Sequence, residues 1–486
     1  MLKRTLPTAF VAVAAALIFG LILRRHLLDD VYITLSYARN LAEHFHWGIV
    51  NGHVSNTATS PLNVMALAVL TKLTGDGVLA AGILFVVCVA LTFSAVRRLV
   101  PSDDDAATAL LWPLAITALV ELNPIMVASA GLESALFVVL LAWLLVAAEA
   151  RNSLLFGVLT GALILTRPDG VLFAVILAFS LGRSVKKWAM AVGTAIAIVA
   201  PWVLTSWVLL GSAVPDTVLL KRHQLPWHGH SFGTGLLLYV GQYPFAVITA
   251  VAIPAVCVLA LCVFHTTMSS PEAASSRRSR PAVLLILAGF AHYGAYTVLH
   301  PPPYHWYYGL SFSAITLGAL VLLVRRYRQR LALRWMAGVL AVMSLAVLVN
   351  NGFTAFAPIT TNWQSSAEAE DMAKAVGQIV GNGTIEFHGE IGAFAYFCGC
   401  KVVDDFSDMA RLNPVILQDL QTTTGLRNAL LRLNYRHRVL TGEPTSGQYL
   451  LQATNDPGGQ PWRWPASSPW TIDDPGYYVL TRIPGP

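Results

Sequence analysis

Charge is what this sequence has least of. Asp, Glu, Lys and Arg make up only 12% of its 486 residues, about half of what a soluble domain carries. That excludes an ordinary soluble globule of this length. Cysteine is scarce too, with five residues. Cys88, Cys257 and Cys262 fall in apolar runs and read as small packing residues. Cys398 and Cys400 stand too close for an ordinary bridge, and no metal-ligand spacing appears. The net charge of +6 sits in short clusters between apolar runs, the pattern of a bilayer topology signal, so nucleic acid is not an expected partner.

Apolar residues fill the gap, at 55% of the chain. Several runs reach the roughly 20 residues that cross a bilayer core. Eleven spans are expected, at 6–23, 78–97, 106–121, 132–150, 153–166, 169–182, 188–210, 236–264, 281–299, 307–324 and 334–352. With the N-terminus in the cytoplasm, the inner loops hold Lys3, Arg4, Arg97, Arg98, Arg151, Arg183, Lys186, Lys187, Arg277, Arg278, Arg280, Arg325, Arg326, Arg328, Arg330 and Arg334. The short outer loops hold Arg24, Arg25, Arg39, Lys72, Arg167, Lys221 and Arg222. This bias follows the positive-inside rule. Counting 60–74 as a span would invert every later loop, so that segment reads as an interfacial helix on the outer surface. The odd number of spans puts the C-terminal segment outside.

The inner loops are chemically plain, whereas the outer ones concentrate acids, histidines and aromatics. Asp29-Asp30-Val31-Tyr32 closes the first span, and Ile33, Tyr37 and Leu41 follow at helical spacing. Two readings of the acid pair stand. Both carboxylates could cap the following helix, or one could take a proton from an acceptor hydroxyl at the membrane surface.

The run Asp29 to Met65, DDVYITLSYARNLAEHFHWGIVNGHVSNTATSPLNVM, resembles the first outer loop of GT-C polyprenyl-phosphate-dependent glycosyltransferases. It is most similar to the actinobacterial enzymes that add terminal β-(1→2)-arabinofuranose to cell-wall arabinan. Gly131-Leu132-Glu133-Ser134-Ala135-Leu136-Phe137, Thr166-Arg167-Pro168-Asp169-Gly170, and Val214-Pro215-Asp216-Thr217 with Lys221 resemble three further segments of that family, in the same order. The chain departs from the pattern at Ser36, where Arg is common, and at Ser55-Asn56, where Glu-Gly is common. The resemblance implies a GT-C fold with outer interfacial helices and a donor whose lipid tail lies in the bilayer. It places Asp29 or Asp30 at the catalytic acidic position, with Tyr32 and Arg39 beside it on the same helix as substrate-binding candidates.

Each remaining candidate carries two readings. Glu133 favours the N-terminus of its own helix electrostatically, or binds substrate in the same cavity. Arg167 and Asp169 pair within a broken hairpin, or Arg167 orients a phosphate or carboxylate while Asp169 orients Arg167. Lys221, with Arg222 and His223, anchors at the interface, or stabilises the donor's departing phosphate. The segment His300-Pro301-Pro302-Pro303-Tyr304-His305-Trp306 is an aromatic belt, or supplies phosphate contacts from His300 and His305 and a sugar-stacking wall from Tyr304 and Trp306. His44 and His46 lack a third ligand nearby, so no metal is expected, a divalent cation being the alternative to no cofactor.

From about Thr354 the composition is that of a soluble domain. Helices are expected at 365–381 and 413–433, with strands at 384–387, 401–403 and 477–481, which makes a small α/β domain. Gly389-Glu390-Ile391-Gly392 and Val403-Asp404-Asp405 resemble outer domains of related transferases. Trp462, Trp464 and Trp470 stack on glycan or pack the core.

The expected protein is a polytopic α-helical membrane protein of GT-C type. Its catalytic domain covers 1–353, with the outer loop at 24–77, and an extracytoplasmic α/β domain covers 354–486. The expected activity is inverting transfer of a sugar, arabinofuranose first, from a polyprenyl-phosphate donor to a cell-envelope glycan or glycolipid at the outer face of the plasma membrane. A mannosyl- or aminosugar transferase and a non-enzymatic lipid or glycan flippase are the alternatives. Paired broken helices and an internal repeat, which would favour a carrier, are not evident.

Overall fold

The computed structural model describes residues 2–101, 106–267, 279–472 and 475–484; Arg277 and Arg278 lie outside them. The chain divides into two compact units. The first comprises 1–24, 82–199 and 224–359; the second comprises 25–81, 200–223 and 360–486.

Helices dominate the first unit. Among the described residues, seven helices of the chain are long and apolar enough to cross a membrane: Leu6–Arg25, Gly77–Leu99, Val185–Leu209, Pro244–Thr266, Arg280–Leu299, His305–Tyr327 and Leu331–Asn351. Shorter apolar helices at Ala109–Glu121, Ser134–Glu149, Ser153–Thr166 and Gly170–Leu181 coincide with the other expected spans. The protein is therefore a multi-pass membrane protein. Leu331–Asn351 and Arg280–Leu299 each leave most of their surface open to lipid, but His305–Tyr327 is 94% buried over its apolar window. Small residues explain its central place, because without a hydrophobic drive between helices in lipid, close backbone approach sets packing. A Cβ on Gly318 would lie 2.8 Å from the Ala282 carbonyl oxygen, and one on Gly289 would lie 3.0 Å from that of Ser311.

One expected span is two helices. The 236–264 stretch divides into Phe232–Gln242 and Pro244–Thr267, with Tyr243 at φ −131° and ψ 58°. Pro244 drives the residue before it out of helical conformation.

The second unit is built on a five-stranded mixed sheet. Its strands are β1 (Thr384–His388), β2 (Lys401–Val403), β3 (Tyr449–Thr454), β4 (Arg463–Pro465) and β5 (Tyr477–Arg482). Their order is β2-β1-β3-β5-β4, with β1 parallel to both β2 and β3, and β5 antiparallel to β3 and β4. Alternate residues Ile385 and Phe387 enter the core, where Val402, Leu451 and Leu480 meet Met372, Val376 and Phe394. The Ser366–Val380 helix starts in a capping box between Ser365 and Glu368, which satisfies two otherwise orphaned backbone donors.

Two further expectations need correction here. The 413–433 helix is broken into Asn413–Thr422 and Gly425–Asn434. Thr423 and Thr424 are extended and Gly425 takes φ +62°, as a β-branched pair followed by glycine favours. Cys398 and Cys400 do form a disulfide, with a Cα–Cα separation of 5.2 Å that lies inside the normal range. The intervening Gly399 adopts φ +63°, a left-handed turn that brings the two side chains to one side.

Candidate functional site

In the second unit, Asp29 and Asp30 open the Asp29–His44 helix, and neither provides a side-chain cap, because the N-cap is Leu28. Asp29 serves a different helix instead. Its two carboxylate oxygens accept the backbone N–H of Gly392 at 2.8 Å and of Ala393 at 2.7 Å. These are first-turn amides of Ile391–Cys398, a helix end that attracts anions through its free donors and its dipole. Backbones approach so closely here that a Cβ on Gly392 would lie 2.0 Å from the Asp29 carbonyl oxygen. Asn362 and Ser366 secure the same corner, accepting from the Asp29 amide at 3.4 Å and donating to the Leu27 carbonyl at 2.9 Å.

Acids accumulate around this cap. Glu390 precedes the Ile391–Cys398 helix and accepts the Trp363 amide at 2.9 Å. Burial raises the Asp29 pKa to about 7 against the lowering effect of the Gly392 and Ala393 amides, and Asp30 and Asp404 add to the rise. Glu390 is pushed well up by burial and then by Asp29. Burial also lifts Asp404, to about 6. Backbone amides engage the carboxylates of Asp29 and Glu390 and favour their charged forms against burial.

Further along the same helix, Arg39 Nη1 donates to the Tyr396 carbonyl at 2.8 Å, and its guanidinium lies 4.6 Å over the Tyr396 ring. Tyr32 packs between Tyr396 and Phe397, at 5.5 and 5.2 Å. Tyr37 is fully buried, with Ser55 Oγ at 2.6 Å and Thr57 Oγ1 at 2.8 Å. At the Ser55-Asn56 departure, Asn56 bonds Ser206 and Ser212. Asp216 forms a buried ion pair with Arg438 at 2.7 Å. Lys221 lies near the end of the Thr217–His223 helix, whose final residues Arg222 and His223 face Asp419 at 4.0 and 3.7 Å.

The first unit gathers the other acids and Arg167. Arg167 Nη1 meets Glu133 at 2.6 Å, its Nε and Nη2 meet Asp169 at 3.1 and 2.9 Å, and Nη2 also donates to Tyr296 Oη at 3.1 Å. Tyr296 donates in turn to Asp169, and His292 Nε2 lies 3.2 Å from that same oxygen. His292 Nδ1 lies 2.8 Å from Ser311 Oγ, and the Tyr307 ring sits 5.2 Å from the guanidinium. The charged members are nearly out of solvent, and the arrangement stitches five helices together.

In the proline loop, His300 is exposed, left-handed at φ +51°, and has Nδ1 2.7 Å from the Val298 carbonyl oxygen. Tyr304 donates to Gln224 at 2.9 Å and stands edge-on to Trp227. His305 is completely buried, with the Tyr239 and Trp306 rings at 5.9 and 5.0 Å. Trp306 is buried too, and Tyr304 packs on it at 4.7 Å.

Sequence reasoning missed His292 and Tyr296 as partners of Asp169, and Arg438 as the partner of Asp216. The first pair carried a usable signal, since polar residues spaced by four in an apolar span face one side. Among the described residues, no group of three or more His, Cys, Asp or Glu side chains could hold a metal ion.

No protein-family model matches the chain, and no curated protein matches it in sequence. Solved structures do share its fold. ArnT from Cupriavidus metallidurans in the apo state superposes with a TM-score of 0.59 at 14% identity, over 99% of this chain and 98% of that one. The same protein bound to undecaprenyl phosphate gives 0.51 at 13% identity, over 98% and 97%. Arabinofuranosyltransferase AftD from Mycobacteria gives 0.50 at 14% identity, over 93% of this chain but only 35% of that one. The chain has the GT-C fold, completed by a small C-terminal sheet domain.

Proposed function

We propose that this protein is a polyprenyl-phosphate-dependent glycosyltransferase, that Asp30 is its general base, and that arabinofuranose is its first-choice donor sugar. The observation that carries the assignment is the Asp29 cap: both oxygens of Asp29 are engaged by Gly392 and Ala393. Asp30 is the neighbouring carboxylate, half-buried on the same first turn. The fold shared with a structure bound to undecaprenyl phosphate supports a lipid-phosphate donor, and the fold shared with AftD supports arabinose. The Cys398–Cys400 disulfide suits an oxidising compartment and supports an extracytoplasmic second unit, with the N-terminus in the cytoplasm and the chain in the plasma membrane.

In this reaction the Asp30 carboxylate takes the proton of an acceptor hydroxyl on a cell-envelope glycan or glycolipid. The hydroxyl oxygen attacks the anomeric carbon as the bond to the phosphate oxygen breaks, and the lipid phosphate leaves with that electron pair. A single displacement inverts the anomeric centre. Lys221 supplies a cation for the departing phosphate. No metal enters the scheme. Arg167 is a positioning residue whose donors are engaged within its own cluster, while Tyr304 and His300 remain candidates for substrate contact and His305 and Trp306 serve packing.

The test uses purified protein in lipid nanodiscs with radiolabelled decaprenyl-phosphoryl arabinose and short arabinan acceptors, run beside polyprenyl-phosphoryl mannose and aminosugar donors. Arabinose transfer that Asp30→Asn abolishes supports the reading. Transfer from another donor alone keeps the base and discards arabinan. Full activity in a well-folded Asp30→Asn protein removes Asp30 from the mechanism.

A further inference from the structure

The Gly425–Asn434 helix of the second unit has no buried residue. Its leucines nonetheless fall at helical spacing, and Leu426, Leu430 and Leu433 are 77%, 56% and 52% exposed. A water-facing helix of a soluble domain has no reason to carry such a stripe. Across from it, Pro215, Val218 and Leu219 complete an apolar groove of about 590 Å³, and Arg222 and Arg427 also line it. From Gly425 to Gly442 the sequence holds Arg427, Arg432, Arg436, His437 and Arg438, and no acid.

The attachment of this helix fixes its depth. Val185–Leu209 is an apolar span, and Trp207 on its last turn donates from Nε1 to the Leu433 carbonyl at 2.7 Å. The Trp207 ring meets His437 edge-on at 4.7 Å. Just beyond the span, the amides of Ala213 and Val214 both donate to Asn434 Oδ1 at 3.0 Å. Leu204, Val208 and Leu209 on the span's last turns are exposed, and the equally exposed Val218 lines the groove with Leu426 and Leu430. Tryptophan at the end of a span marks the headgroup level. An apolar stripe flanked by arginines at that level is the pattern of a helix lying in the interface plane.

We infer that Gly425–Asn434 and the groove beside it form a membrane-surface contact whose occupant is anionic phospholipid of the bilayer. The leucines enter the acyl boundary while Arg427, Arg432 and Arg222 meet the lipid phosphates, since basic side chains near a surface gather anionic lipid. The reading needs only that the protein spans a membrane, so it stands or falls separately from the transferase assignment.

The full-length protein is prepared with Cys262, the exposed free cysteine, replaced by Ser. Leu430→Cys or Lys374→Cys then carries an environment-sensitive NBD fluorophore; Lys374 is exposed on the Ser366–Val380 helix. Nanodiscs contain phosphatidylcholine alone or equal parts phosphatidylcholine and phosphatidylglycerol, with nitroxide near the headgroup end of some acyl chains. The expected result is blue-shifted emission at position 430, quenched severalfold more than at 374, and stronger quenching with phosphatidylglycerol. Arg427→Gln with Arg432→Gln should remove that phosphatidylglycerol increment. Water-like, unquenched emission at both positions would overturn the inference. So would quenching at 430 that is relieved by added decaprenyl phosphate, because the groove would then belong to the donor's tail.

Discussion

The two units each hold a cluster of buried acids, and they compensate those acids in opposite ways. Around Arg167, a guanidinium bonds Glu133 and Asp169 directly, with His292 and Tyr296 completing the set. Around Asp29, backbone amides of a distant helix are the compensation, and the negative charges of Asp30 and Asp404 add to the rise of its pKa. The first arrangement ties its carboxylates to one guanidinium. The second raises carboxyl pKa values toward neutrality, where an acid can both accept and release a proton. Side-chain charge pairing holds one cluster, and backbone amides hold the other.

The comparison breaks most visibly at Arg167. Arg167→Ala leaves Glu133 and Asp169 buried without their cation, which costs about 3–5 kcal/mol. Thermal unfolding in detergent micelles should show a large drop in Tm, and an unchanged Tm would mean the cluster is not closed. By contrast, Asp30→Asn should reduce transfer by about 10²–10⁴-fold with little change in Tm, as read by the nanodisc assay and the same melting curve. Equal loss of stability in both variants would erase the distinction between the clusters.

A smaller effect tests the cap itself. Gly392→Ala forces a Cβ against the Asp29 carbonyl, an overpacking that costs about 1–3 kcal/mol. Protease nicking of the second unit should accelerate, and an unaffected rate would mean the two backbones are further apart. The pH dependence is smaller again. Asp29 has a folded pKa of about 7 against an unfolded value near 3.9, so the folded state binds the extra proton. Its stabilisation is full below about pH 4 and is lost as pH rises through about 7. Asp29→Asn should flatten the Tm–pH profile across that window, and an equally steep profile in the variant would assign the slope to Glu390 and Asp404.

Much of this was legible in the sequence, and the rest was hidden for one reason. Ten of the eleven expected spans appear as single helical segments at the expected places, because apolar length is a local property. The exception, 236–264, broke at Pro244, whose effect on Tyr243 is also local and was readable. The acid pair at 29–30 was visible as a pair, yet its capping reading looked to the adjacent helix. The partner is Gly392-Ala393, more than three hundred and sixty residues along the chain. The Cys398–Cys400 bridge was dismissed on spacing because the left-handed turn at Gly399 leaves no signature beyond the glycine itself.

The sequence by itself determined that this chain lives in a bilayer: its charge is too sparse for water, and its apolar runs have the length of a membrane. It also determined where acids, histidines and aromatics gather between those runs. Tertiary structure alone decided what each of them does. Arg167 is a clamp because three segments bring Glu133, Asp169 and Tyr296 within hydrogen-bond reach. Asp29 is a cap because an approaching helix presents two unpaired amides to it. Composition and periodicity record how a residue relates to solvent or lipid, whereas a carboxylate's charge state depends on the few groups folded to within about 4 Å of it.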